Sequence, residues 1–301
     1  MATSSTSIPI HSLEPDECIL ELAGADAKVF LQGQTTADFQ AAEVGARVYT
    51  AFCDAKGRVL ADALAVVVTD TTVLLRGRKS VLEQLATHLK PYLAFSKSTL
   101  TPTDWGVYCS GPAAGAENES EGAQLIEENG ELNTVVIHRD TKFSEYWHSA
   151  ASKIRHAPKE VTPLARVDFA TARARVEVTT VGAYLPQDLN YDLNETVSFT
   201  KGCYTGQEIV ARLHYRGTPK RRLHRALASA AAAEVQPGDS ITNGDGRRVG
   251  SIINLVSLGE QLGVLIEVIP DTIGNSLFIG EKGPKLSSVE ACHPTTDQST
   301  G

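Results

Sequence analysis

The sequence predicts an α+β protein that closes with a small β-barrel, and three observations carry that expectation. Alternating apolar runs are mixed with amphipathic helical stretches, without the strict strand–helix–strand order of a doubly wound sheet. Neither G-x-G-x-x-G nor G-x-x-x-x-G-K-[ST] occurs, so neither phosphate-cradling loop is present. After Arg222 helical periodicity stops, and "DSITNGDGRRVGSIINLVSLGEQLGVLIEV" alternates short strands with glycine-rich turns. The expected division is residues 1–220 for two interleaved α+β domains and 221–301 for the barrel.

The elements follow in order. Cys18 to Leu22 reads as a first strand. "GADAKVFLQG" reads as a short helix with Ala27, Phe30 and Leu31 inward and Gly33 at its end. Arg47 to Cys53 and Val59 to Val68 form two strands around the turn "DAKG", and Thr72 to Leu75 a third. Ser80 to Lys90 is an amphipathic helix with Leu82, Leu85 and Leu89 on one side. Residues 111–123 are a low-complexity loop. "ELNTVVIHRD" and "KFSEYWH" pair as strands. "TPLARVDFATARAR" starts a helix, with Thr162 as N-cap and Pro163 at the first helical position.

Composition bounds the class. The 301 residues are 42% hydrophobic and 21% charged, enough chain for two or three domains. No apolar run approaches the roughly 20 residues of a membrane-spanning helix. The first segment, "MATSSTSIPIHSLEPDE", has neither the basic nor the apolar region of a signal peptide. Five cysteines, at 18, 53, 109, 203 and 292, form no disulfide framework and no Cys/His metal cluster. A reducing cytoplasm fits them. The net charge of −8 is uneven: Lys201 to Arg225 carries +6 and the remainder −14. The basic strip suits a local anionic partner, but the acidic remainder disfavours general nucleic-acid binding.

The most informative stretch is "TKGCYTGQEIVARLHYRG", residues 200–217. Thr205 and Glu208 have capping-box spacing, and Tyr204 and Ile209 fall where a hydrophobic staple belongs. A helix is expected from Gly206 to Arg216, stopped by Gly217 and Pro219. Cys203 then lies just ahead of a helix N-terminus with Lys201 close by, a setting that favours a reactive thiolate. Read from composition alone, Cys203 is more often a small buried hydrophobe than a reactive group.

These residues also carry a resemblance. "KGCYTGQE" followed by "ARLHYRG" resembles the signature of YgfZ-type folate-binding proteins, relatives of the aminomethyltransferase (T-protein) of the glycine cleavage system. "GADAKVFLQGQTTAD", "FCDAKGRVLADALAVV", "LPQDLN" and "RRVGSIINLVS" match in kind, so the resemblance spans residues from about 17 to 270. It implies a T-protein-like three-domain ring around a hollow that binds tetrahydrofolate or a derivative. It also implies an accessory role in iron–sulfur cluster assembly or repair. Its clients would be iron–sulfur enzymes or assembly proteins, among them tRNA-modifying enzymes.

The same resemblance gives the signature residues their roles. Cys203 and Lys201 are the reactive pair. Tyr204, Gln207, Glu208 and Arg212, with Asp62 of the first hairpin, are the folate-binding residues, and Arg216 is a further cation for carboxylates. The family's hairpin usually holds two acidic residues, whereas "VLADAL" holds Asp62 alone, which counts against amine transfer. The turn after Glu177 also departs from the family pattern, with Val178 in place of alanine. Two other functions stay open: a tetrahydrofolate-dependent one-carbon transferase of aminomethyltransferase or demethylase type, and a tRNA-contacting module using the basic strip.

Overall fold

The computed structural model describes residues 14–110, 122–139, 143–150, 161–230, 234–281 and 283–292. Most of the segment read for a signal peptide and most of the low-complexity stretch lie outside these residues.

Three antiparallel sheets organise the described residues. The first contains β1 (Glu17–Gly24), β2 (Arg47–Cys53), β3 (Val59–Thr69), β4 (Thr72–Arg78) and β5 (Ser98–Pro102), in the order β2-β3-β4-β1-β5. Its helices are α1 (Ala27–Gln34) and α2 (Lys79–Leu93). The second sheet runs β10-β6-β9-β8-β7. It is built from β6 (Gly106–Ser110), β7 (Ala123–Glu128), β8 (Glu131–His138), β9 (Ser144–His148) and β10 (Val161–Thr162). Helices α3 (Leu164–Ala170) and α4 (Gln207–Arg216) follow. The third sheet, a curled half-barrel, has six strands: β11 (Arg222–Ser229), β12 (Ser240–Asn243), β13 (Arg248–Leu258), β14 (Gln261–Val268), β15 (Leu277–Ile279) and β16 (Ser287–Ala291). The expected α+β class with an all-β end is what the structure has. The barrel closes only halfway.

The period-two pattern of β3 explains how the layers stack. Ala61, Ala63, Ala65 and Val67 join one core with Leu82, Leu85 and Leu89 of α2 and Phe30 and Leu31 of α1. Leu64 and Val66 face the other way, into a core shared with Val135, Ile137 and Trp147 of the second sheet. A strand buried on both faces reads as an almost unbroken apolar run, as "VLADALAVVV" does. Asp62 is the exception, and it points into the space between the first two sheets.

That space is ionic at one end. Arg76 grips Glu145 with two parallel bonds of 2.7 and 2.9 Å and reaches Glu17 at 3.2 Å. Arg139 bonds Glu145 at 2.8 Å and Asp168 at 2.7 Å. Arg175 joins Asp62 at 3.0 Å, Asp168 at 3.3 Å and Glu17 at 3.0 Å. Burial alone pushes the Glu145 and Asp168 carboxyls up. The surrounding guanidiniums outweigh it, holding Glu145 low and Asp168 at about 2.

Two helix starts differ from the sequence expectation. Thr162 lies in β10, and the N-cap of α3 is Pro163. The orphan Leu164 N–H is taken by Glu14 Oε1 at 2.6 Å, so a distant carboxylate replaces the local hydroxyl. In α4 the Thr205–Glu208 capping box does not form, and the N-cap is Gly206 at φ 86°. A Cβ there would stand 2.4 Å from the Asp54 carbonyl oxygen. The chain therefore turns through a left-handed glycine so that α4 can lie against the β2–β3 turn. α1 also runs on past Gly33 to Gln34, with Thr35 as its C-cap.

Candidate functional site

The signature residues anchor one another and their neighbours through specific bonds. The Lys201 ammonium is buried and donates to the Gln32 carbonyl at 2.7 Å and the Thr35 carbonyl at 2.6 Å. Those are the free carbonyls at the C-terminal, negative end of α1, a helix with no basic residue in its own last turn. Burial lowers the Lys201 pKa to about 8, which leaves it charged at neutral pH. Lys201 thus clamps the signature to α1.

Tyr204 is buried as well, with the Lys201 Nζ 5.0 Å from its ring centroid, and burial pushes its phenol far up. The Thr205 N–H donates to the Gly33 carbonyl at 3.3 Å. Between these anchored residues Gly202 and Cys203 are exposed. The buried-filler reading of Cys203 is thereby excluded: the thiol is presented on a braced loop. Cys53 and Cys109 are buried, and Cys18 and Cys292 are half-buried.

On α4, Val210 packs inward while Glu208, Arg212 and Arg216 are exposed. Gln187 of "LPQDLN" holds this helix by donating to the Val210 carbonyl at 2.8 Å. Asn190, in the left-handed conformation at φ 56°, accepts from the Leu223 N–H at 3.2 Å. The motif thus joins α4 to the third sheet.

A cavity of about 520 Å³ opens at the start of β2, at the edge of the ionic layer. Tyr49, Arg47, Arg139, Arg173 and Asn194 are among its lining residues. The Arg173 guanidinium lies 3.4 Å from the Tyr49 ring centroid and donates to Thr196 Oγ1 at 3.2 Å. Arg47 donates to the His138 carbonyl. Neither Arg47 nor Arg173 reaches a carboxylate among the described residues, whereas Arg139 has two. Burial and the neighbouring positive charge of Arg139 lower the Arg173 pKa, although Tyr49 works against them. Glu195, at the mouth, holds a left-handed φ of 64°, a conformation that costs a non-glycine residue about 1–3 kcal/mol.

A narrower pocket continues inward past Tyr49, Arg173 and Tyr191 to Asp62. There both Asp62 oxygens are engaged, one by Arg175 Nε at 3.0 Å and the other by the Val176 N–H at 2.5 Å. Glu177 is likewise committed, to Arg78 at 2.7 Å and to Asn254 at 2.9 Å.

Of the residues singled out in the sequence, Asp62 alone lines this cavity system. Cys203, Lys201, Tyr204, Gln207, Glu208 and Arg212 line neither pocket. The signature packs against the turn after Cys53, which lies four positions along β2 from Tyr49, about 13 Å of strand. Among the described residues no group of three or more His, Cys, Asp or Glu is arranged to hold a metal ion. No described helix is long and apolar enough to cross a membrane.

A curled β unit closing two packed α+β layers is the architecture of the glycine cleavage T-proteins. The glycine cleavage system aminomethyltransferase T from Bartonella henselae superposes with a TM-score of 0.68 over 92% of this chain and 82% of that one, at 13% identity. No family model matches the chain. In sequence it is similar to the tRNA-modifying protein YgfZ of Shigella boydii serotype 18 (strain CDC 3083-94 / BS512) and to that of Escherichia coli (strain SE11). Each is 28% identical over 299 aligned residues, covering 90% of both chains. The YgfZ-type resemblance carried by the signature therefore extends along most of the chain, on a T-protein fold.

Proposed function

We propose that the protein is a folate-binding accessory factor for tRNA modification, supporting the iron–sulfur enzymes on which that modification depends. A reduced folate, tetrahydrofolate or a derivative, is its ligand, and Cys203 is its outward working group. The observation that carries this reading is the larger cavity, where two of its three arginines, Arg47 and Arg173, have no carboxylate partner among the described residues. Its volume lies within the roughly 300–1,000 Å³ of small-molecule sites. A folate joins a flat pterin to an anionic glutamate tail. Arg47 and Arg173 suit the carboxylates and the Tyr49 face suits the ring. Bound folate would supply a one-carbon unit. The chain's own part is to hold it in a cationic hollow braced by Asp62, Arg175 and Asp168.

The transferase alternative draws less support, because both Asp62 oxygens are occupied and no second acid stands beside it in the hairpin. The RNA-contacting alternative loses cations on inspection. In the basic strip Lys201 is clamped, Arg221 faces Glu267, Arg222 bonds Asp192 and Arg225 bonds Glu290.

The test is a calorimetric titration with 5-formyltetrahydrofolate, a stable reduced folate, on wild type and on Arg173→Ala. Binding by wild type that weakens at least tenfold in the variant is expected. Absence of binding to any reduced folate would sink the reading.

A further inference from the structure

A second polar cavity, sharing no lining residue with the first, lies between the β2–β3 turn, residues 179–188 and the third sheet. Its volume is about 230 Å³. At its floor is Glu267, 4% exposed, paired across β13–β14 with Ser251. Ser251 Oγ donates to Glu267 Oε1 at 2.6 Å, and the Tyr184 hydroxyl stands 3.1 Å behind Ser251. Arg58, Arg221 and Arg248 ring the mouth.

The floor is unfinished. Arg221 Nε lies 3.1 Å from Glu267 Oε2, yet both buried atoms lack an aligned hydrogen bond. The pair is a Coulombic contact, weaker than the bonded forks between the first two sheets. The one free oxygen of a buried carboxyl thus meets a ring of guanidinium donors.

We propose that this cavity is a second ligand site, for a small oxyanion of the phosphate class, and that binding there is coupled to protonation of Glu267. With both acids ionised, three arginines face Glu267 and Asp188, and one proton raises the net charge of the ring from +1 to +2. That proton, carried on Oε2, turns a repelling oxygen into a donor and frees Arg221 for the ligand. The charged and titratable groups facing Glu267 are Arg221, Arg248 and Asp188, with Arg58 across the mouth and Tyr184 behind Ser251. Asp188 already accepts the Leu185 N–H at 2.9 Å and supplies the countercharge; burial raises its pKa, against that bond and the nearby arginines. Burial lifts Glu267 to about 7, so the switch falls in the neutral range.

Sulfate is the probe, because it stays a dianion from pH 6 to pH 8. Titrations at constant ionic strength should show about tenfold tighter binding at pH 6 than at pH 8, the ratio of protonated fractions for a group near 7. Glu267→Gln should bind with no pH dependence. Arg248→Ala, an exposed change that leaves folding intact, should weaken binding at least fivefold. Inorganic phosphate or glycerol phosphate should displace the sulfate. A Glu267→Gln pH slope equal to wild type, an unaltered Arg248→Ala, or no displacement by either phosphate overturns the proposal. Arg173→Ala must leave the titration unchanged. If it abolishes sulfate binding, the ion sits in the larger cavity and this site falls, whatever the folate titration shows.

Discussion

Replacing Lys201 by methionine separates a clamp from a reactive group. The ammonium makes two charge-assisted bonds, 2.7 and 2.6 Å long, to carbonyls that have no other helical partner. Such bonds contribute about 1.5–3 kcal/mol each, and the burial that lowers the ammonium's pKa to about 8 takes part of this back. Methionine keeps the stem and leaves both carbonyls unpaired, so a loss of about 3 kcal/mol is expected. For a chain of this size that lowers the Tm by roughly 6 °C. Cys203→Ala deletes an exposed thiol, and surface changes stay within about 0.5 kcal/mol. Its Tm should move by about 1 °C, while support of iron–sulfur enzymes in a complementation assay is lost. Scanning calorimetry of the two variants beside wild type, with that complementation, decides the matter. A Lys201→Met protein that melts with wild type, or a Cys203→Ala protein that melts several degrees lower, would refute the clamp-and-presented-thiol argument.

Three further outcomes follow from the same geometry. Arg76→Met removes the two-bond grip on Glu145, which keeps Arg139 and the Trp147 indole, and takes a cation from Glu17; losing one partner of a buried pair costs up to about 3–5 kcal/mol, readable as a lower urea midpoint. Glu267 has a folded pKa of about 7, above its ordinary 4.5, so its contribution to stability is full below pH 4.5 and is lost as pH rises through 7. Glu267→Gln should therefore gain about 3 kcal/mol on wild type between pH 5 and pH 8, and urea melts giving the same difference at both pH values would contradict this. Transfer RNA should be retained only weakly on filters at 150 mM salt; tight, steeply salt-dependent retention would show that Arg212, Arg216 and Lys220 suffice.

The strands were legible where burial follows a simple period. Arg47–Cys53 has the bounds its alternation implies, and β3 announces its two buried faces through its unbroken apolar run. The start of α4 was not, because its cap is chosen by the Asp54 carbonyl on another element rather than by Thr205 and Glu208. The clamp made by Lys201 was not legible for a related reason: its acceptor carbonyls lie on α1, far away in sequence. The available signal lay elsewhere, in α1, which lacks a basic residue at its own C-terminus. The cavity was hidden most deeply. Arg47, Arg139 and Arg173 lie far apart in sequence, and "TARAR" continued the pattern of α3, whereas the helix ends at Ala170 and frees Arg173 and Arg175 to turn inward.

The ionic layer between the first two sheets also sets a timetable for synthesis. Glu17 and Arg76 leave the ribosome early, but Glu145, Asp168 and Arg175 complete their bonds only later. Between Arg76 and Arg175 translation takes roughly 5–20 s. During that interval the first sheet can cover one face with α1 and α2, while its other face holds charges and apolar side chains awaiting partners. The nascent chain is then most exposed to wrong pairing. A chaperone acting on this protein would be needed in that window, before the second sheet arrives.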